Sequence, residues 1–414
     1  MSKTPFITND AVVLGILFLL LFGIFWLEKN GGLLWSKINK VVPPILLCYF
    51  LPGVLNTFGV IDAGSSQVYS VISTYFLPVC LLLFTLGLDI QMLKKLGPKA
   101  VLVFLAGTLG IVIGGPIAVL IVKSIFPSAF SGENVETWRG LATIAGSWIG
   151  GGANQTALKE VFQPSAYLFS QAVAVDILVA ESWLAVLLIG VANVEKLDKF
   201  FGGDTQIMKD MQQRMNELHE TEAAKPIFLD YLKILAVGFG GSGLAYACAD
   251  VITPYIQLNY PDLSKFSLTS TFFWVVVIAT FIGILLSQTK VSKLTYRGSN
   301  EVATVFLYIL IASIGMQMDL FAVADNLALF LVGFIWILVH VWVIVLAGKL
   351  LKVPFFFVAV GSQANVGGAA SASVVAGAFN PTLISVGVLL SILGYAVGTY
   401  AGYITTLLMQ WASS

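Results

Sequence analysis

Apolar runs of membrane-spanning length recur along this 414-residue chain, and in two places, one in each half, an apolar region is interrupted by glycine. The interruptions are Gly146-Ser147-Trp148-Ile149-Gly150-Gly151-Gly152-Ala153-Asn154 and Gly361-Ser362-Gln363-Ala364-Asn365-Val366-Gly367-Gly368-Ala369-Ala370. Glycine in an apolar helix frees backbone groups that lipid cannot hydrogen-bond, so such a break at membrane depth survives only where protein or a water-filled cavity receives them. Paired breaks in corresponding halves of a membrane chain point to the binding site of a secondary transporter.

Composition fixes the class. The chain is 58% hydrophobic and 11% charged, where soluble domains carry roughly 25% charged residues. It reads as an all-α polytopic membrane protein whose first partner is the lipid bilayer. Its 22 basic and 22 acidic residues balance, which argues against a nucleic-acid partner. Cys48, Cys80 and Cys248 match no metal spacing and read as packing residues. With two histidines, no Ser-His-Asp set and no phosphate loop, the chain is not read as an enzyme, and no cofactor is expected beyond a coupling ion.

Runs near 11–27, 41–60, 70–88, 100–122, 166–191, 229–249, 271–287, 302–318, 326–347 and 382–410 approach the length a bilayer requires, giving about ten crossings. The first lacks a basic leader and a small-residue cleavage site, and Trp26, Glu28 and Lys29 flank it as at an interface, so it is expected to stay as a span. The polar stretch Val194 to Pro226, with Met208, Met211, Met215 and Leu218 among alternating charges, reads as an amphipathic surface linker. The expected organisation is scaffold spans over 1–69, a first repeat core over 70–193, the linker over 194–226, further scaffold spans over 227–300 and a second repeat core over 301–414.

Three matches in the same order, the last two at the same spacing, support an internal repeat: the span ends at Asp89 and Asp319, Ile149 to Ala153 against Val366 to Ala370, and Val161-Phe162-Gln163-Pro164 against Ala378-Phe379-Asn380-Pro381. Placing the basic clusters Lys94-Lys95-Lys99, Lys290-Lys293-Arg297 and Lys349-Lys352 in the cytoplasm makes the repeats inverted. It also favours re-entrant hairpins for the glycine-rich regions, one entering from each face, with broken helices that cross as the alternative. Lys159 and Glu160 then fall on the outer side, where Lys159 either draws an anion or pairs with Glu160.

Helix ends meeting at a break offer amides to an anion and carbonyls to a cation. The substrate-binding residues expected from this are Ser147, Gly150, Gly151, Gly152, Asn154, Gln155 and Thr156 in the first region, with Gln363, Asn365, Gly367, Gly368 and Ser371 in the second. Ser362 and Ser373 add hydroxyls. Asp176 and Glu181 lie inside an apolar run, where an ionisable group is costly enough to suggest a function, and are expected to couple a cation. A sodium ion near Asn154, Asn365 and Asp176 is the metal the pattern admits. His340, between Trp336 and Trp342, reads as a structural hydrogen-bonding residue.

The stretches GSWIGGGANQTALKEVF and GSQANVGGAASASVVAGAFNP resemble the signature of the integral-membrane family called domain of unknown function 819, over almost the whole chain. More distantly the chain is similar to the sodium/glutamate and citrate/sodium symporters and to the cation-antiporter and anion-transporter superfamily. That resemblance implies a mobile core moving against a dimeric scaffold in the cytoplasmic membrane, driven by sodium or protons, with Asp176 where antiporters often carry an aspartate. Val175 and Ile177 flank it, so the adjacent aspartate of a paired-carboxylate mechanism is absent. The expected function is a cation-coupled transporter of a small polar or anionic organic solute; the alternative is a cation/proton antiporter without an organic substrate.

Overall fold

The computed structural model describes residues 6–32, 35, 44–203, 225–318 and 327–414. Every regular element among them is helical: α1 Asp10–Asn30, α2 Pro44–Thr57, α3 Val68–Leu86, α4 Ile90–Leu96, α5 Pro98–Ile125, α6 Thr137–Phe162, α7 Ala166–Val191, α8 Val194–Phe201, α9 Phe228–Asn259, α10 Thr271–Ser287, α11 Ser299–Gly315, α12 Leu327–Leu351, α13 Phe355–Val366, α14 Gly368–Phe379 and α15 Ile384–Ser413. Each of the ten apolar runs carries a helix. Seven of them, α1, α3, α5, α7, α9, α12 and α15 with its leading turn, are long and apolar enough to span a bilayer. The 17-residue α10 qualifies only with the Lys290–Arg297 segment, from which it is bent by 97°. Asp319 and the linker residues Met208, Met211, Met215 and Leu218 lie outside the described residues.

Local chemistry sets the helix ends. The side chains of Asn9, Ser165 and Ser270 accept from backbone N–H groups in the first turns of α1, α7 and α10, satisfying donors that a helix start leaves open. Pro98 opens α5, where its missing N–H costs nothing. Cys48 and Cys80 are buried free thiols, in keeping with a packing role.

The helices pack in two groups. α1, α2, α3, α9, α10 and α11 form one, with α3 against α9, α10 and α11. α5, α6, α7, α12, α13, α14 and α15 form the other, which holds both glycine-rich regions. Spans 70–88 and 302–318, expected in the repeat cores, pack in the first of these groups. In the second group α5 and α12 run antiparallel at close approach: a methyl group on Gly114 would stand 2.8 Å from Trp336 Cδ1 and one on Gly107 3.0 Å from Ile344 Cδ1. The start of α5 therefore lies beside the end of α12, bringing Lys99 to the end of the bundle that carries Lys349 and Lys352. Asp89, Lys293 and Pro381 share a cavity wall at that same end.

Both glycine-rich regions double back. In α6 the helical backbone breaks at Gly150 (φ −141°, ψ 21°) and Gly151 (φ 66°, ψ −172°). Across that break Arg139 Nη1 donates to the Phe162 carbonyl at 2.6 Å, and Trp138 meets the Phe162 ring at 5.8 Å. A continuous helix would hold those residues about 34 Å apart at 1.5 Å per residue. The second region breaks at Gly367 (φ −115°, ψ −2°) and Gly368 (φ 65°), and its ends meet through Phe355 and Phe379, 6.0 Å between ring centres. We call these hairpins 1 and 2.

The two hairpins meet tip to tip along α15. A methyl group on Gly394 would stand 2.9 Å from the Ile149 carbonyl oxygen and 3.4 Å from that of Ala364, and one on Gly151 would lie 3.8 Å from Gly368 Cα. Near the start of α15, Gly387 faces Ala372 of hairpin 2; further along, Tyr403 stacks on Phe162 at the base of hairpin 1, 5.6 Å away. The bases thus lie toward opposite ends of α15, and the tips meet between them.

Candidate functional site

Two asparagines staple the hairpins to long helices. Asn154 Nδ2 donates to the carbonyls of Gly150 and Tyr395, at 2.9 and 3.1 Å, while Thr399 donates to its Oδ1 at 2.6 Å. Asn365 Nδ2 donates to Gly361 and Phe104, at 3.0 and 3.1 Å, and Thr108 donates to its Oδ1 at 2.7 Å. In both cases one carbonyl belongs to the asparagine's own preceding turn, and the other precedes the threonine by four residues. Each carboxamide spends both donors and an acceptor inside the protein and is fully buried. Neither lines the cavity beside the meeting tips, and these bonds give Asn154 and Asn365, which the sequence sets against a solute or sodium ion, a structural role in holding the hairpins.

His340 sits in a similar framework. Its Nδ1 is 2.9 Å from the Gly107 carbonyl and its Nε2 is 2.7 Å from Ser362 Oγ, to which Trp183 Nε1 donates at 2.8 Å. A carbonyl only accepts, so Nδ1 carries a proton toward Gly107, and Nε2 shares its hydrogen bond with Ser362. Hairpin 2 is tied by this chain to α5, α7 and α12.

A cavity of about 460 Å³ opens beside the meeting tips. On one side it is walled by hairpin 1 (Ser147, Gly151, Gly152, Gln155), hairpin 2 (Gly367, Ser371) and α7 (Asp176, Glu181). The other wall is Phe25 and Glu28 of α1, Tyr49 of α2 and Tyr308 of α11. It extends past Pro44 at the start of α2 and Leu188 near the end of α7. The chain from α7 continues into α8, whose Asp198 accepts from the Phe355 N–H at the base of hairpin 2. The cavity therefore reaches toward the end of the bundle that bears the basic clusters.

Asp176 is the polar centre of this wall. Trp148 Nε1 donates to one carboxylate oxygen and Gln155 Nε2 to the other, both at 2.7 Å, and Ser147 lines the same wall. Tyr49 donates its hydroxyl to Gln155 Oε1 at 2.8 Å, which fixes the amide with its NH₂ toward Asp176. The residue is only 5% exposed. The ion pairs among the described residues are Arg139–Glu136, Lys159–Glu160, Lys233–Asp230 and Arg297–Asp230, and none reaches Asp176. Lys159 belongs elsewhere: it is held by Glu160 at 3.4 Å, by the Tyr69 hydroxyl and over the Tyr69 ring, so its local ion pair is what the structure contains.

Of the residues singled out from the sequence, the cavity thus gathers Ser147, Gly151, Gly152, Gln155, Asp176, Glu181, Gly367 and Ser371. Gly150, Asn154, Thr156, Gln363, Asn365, Gly368 and Ser373 stand off its wall. Thr156 donates to the Gly152 carbonyl within its own helix, and Gly150 leaves room for the Asn154 side chain, which a methyl group would crowd. No group of three or more His, Cys, Asp or Glu side chains among the described residues is arranged to hold a metal ion. The sequence reading missed Trp148, Tyr49, Tyr308 and Glu28 as members of the site. Aromatic residues in apolar runs carry no signal separating core from cavity, and Glu28 reads as an interfacial flank.

The family model described as "Protein of unknown function (DUF819)" matches residues 15–411. The chain is also similar to "Uncharacterized membrane protein YjcL" of Bacillus subtilis (strain 168), 26% identical over 365 residues that cover 87% of each chain. With apolar helices of spanning length and a match over nearly its whole length, the protein is a polytopic all-α membrane protein belonging to the DUF819 family.

Proposed function

We propose that this protein is a cation-coupled secondary transporter that works by alternating access, with its small solute in the cavity between the hairpin tips. One observation carries the reading: Asp176, a buried carboxylate with no basic partner among the described residues, stands where two broken helices meet on a cavity wall. Burying an unpaired carboxylate is expensive enough that it is held with a proton or with a bound cation. A sodium ion or a proton at Asp176 then neutralises that carboxylate, and the hydrogen bonds from Trp148 and Gln155 hold it in position.

The cavity lies between the two helix groups, and this supports alternating access. A rigid shift of the hairpin group against the α1–α3 and α9–α11 group would exchange its scaffold wall while keeping Asp176 and the tips together. The proposal takes the two hairpins as inverted-repeat counterparts, places the basic end in the cytoplasm and the protein in the cytoplasmic membrane, and includes a homodimer through the scaffold, as in the symporters the chain resembles. It assigns no catalytic residue and no cofactor beyond the coupling ion. The second reading, cation/proton exchange without an organic solute, rests on the same carboxylate.

Proteoliposomes loaded with a pH-sensitive dye and given an inward sodium gradient separate these. Radioactive sodium entry that requires a solute supports symport; sodium entry with proton exit and no solute supports the antiporter. No sodium or proton movement under any solute tested overturns both.

A further inference from the structure

The sequence reading left the solute as polar or anionic. Resting on the transport reading above, we infer that the solute is instead a small organic cation, one that presents an ammonium or guanidinium group to Glu181 and Glu28. The cavity wall carries three carboxylates, Glu28, Asp176 and Glu181, and among the described residues no Lys, Arg or His. None of the three takes part in an ion pair among the described residues. A carboxylate solute brought here would meet like charge from buried Asp176, half-buried Glu181 and exposed Glu28.

The helix dipoles do not reverse this sign. Each hairpin presents at its tip the C-terminal end of one arm and the N-terminal end of the other: Ile149 and Gly152 in hairpin 1, Val366 and Gly368 in hairpin 2. Those half-charges are opposite and adjacent, so they largely cancel at the tip, and the side chains set the potential. If Asp176 is satisfied by the coupling cation, two carboxylates are left on the side nearer the mouth.

Aromatic faces complete the case. Phe25 and Tyr308 meet edge to face at 4.6 Å between ring centres, and both line the cavity with Tyr49. Ring faces attract ammonium and guanidinium groups and favour those carrying methyl or methylene groups. The volume of about 460 Å³ admits a small organic cation with its apolar portion against Leu184 and Leu188.

The test uses the full-length purified protein in detergent, with unfolding midpoints recorded in sodium and in potassium against choline, tetramethylammonium and agmatine as cationic probes, and succinate and citrate as anionic ones. A cationic probe is expected to raise the midpoint, because a ligand that binds the native state stabilises it. Glu181→Gln is expected to weaken that probe about tenfold, the loss of one charge-assisted contact, and Glu28→Gln serves as a second variant at the mouth. The response to sodium should survive in Glu28→Gln. Stabilisation by succinate or citrate and not by the cations overturns the inference while leaving a coupled transporter standing. Midpoints that move with sodium or pH but with no organic probe overturn it in favour of the antiporter. Cationic binding unchanged in both Gln variants overturns the placement of the positive charge.

Discussion

Hairpins 1 and 2 share a backbone device and differ in what they do with it. Each breaks at a glycine pair, Gly150-Gly151 and Gly367-Gly368, whose second member has φ near 65°. Each is closed at its base by a phenylalanine of the same motif, Phe162 and Phe379, and stapled by an asparagine that accepts from a threonine. Hairpin 1 sends Trp148 and Gln155 to Asp176 and sets Ser147 on the same wall. Hairpin 2 spends Ser362 and Asn365 on α5, α7 and α12, and offers the cavity Gly367 and Ser371. The shared break builds the opening, while the ion chemistry is concentrated on hairpin 1 and the helix that follows it.

The largest effects should fall on what the hairpins share. Gly151 adopts a φ/ψ combination open essentially to glycine alone, and a methyl group there would also stand 3.0 Å from Tyr395 Cε1. Gly151→Leu and Gly368→Leu are each expected to lower transport at least about tenfold, since a strain of roughly 1–3 kcal/mol falls on the tip contact. Proteoliposome flux measures this, and a variant of either glycine with normal flux would break the equivalence of the tips.

Next come the staples. Asn154→Ala and Asn365→Ala should each cost roughly 2–4 kcal/mol of stability, because three buried partners lose their bond in both cases. Unfolding midpoints in detergent check it. If Asn365→Ala instead left the midpoint alone and weakened ligand, hairpin 2 would be a binding element after all.

The sharpest division is also the smallest in size. Gln155→Leu removes a donor that orients the ionised Asp176 carboxylate and should weaken sodium binding about tenfold, the worth of one hydrogen bond to a charged group. Ser371→Ala, across the cavity, should change it less than about threefold, under 1 kcal/mol. Sodium titration of the unfolding midpoint reads both, and equal losses would spread the ion site over the two hairpins.

This division also marks how far the sequence reaches. Glycine pairs in two apolar regions announce the breaks, because the second member of each takes a positive φ that other residues rarely adopt, and a lone aspartate in an apolar run announces its cost. Both are properties of single positions. Which way a side chain points is not: Asn154 and Gln155 are neighbours beside the same break, yet one closes the structure and the other faces Asp176. Trp148 and Tyr49 reach the site only through packing of helices distant in the chain, and neither residue type is unusual inside a membrane helix.

The central claim is that Asp176 binds the coupling ion. Its most direct test is the unfolding midpoint of wild-type protein and Asp176→Asn, titrated with sodium against potassium and repeated across pH. The account expects wild type to respond to sodium or to protons, and Asp176→Asn to be folded and unresponsive to both. A variant whose response matched that of wild type would contradict it and take the ion site away from the meeting tips.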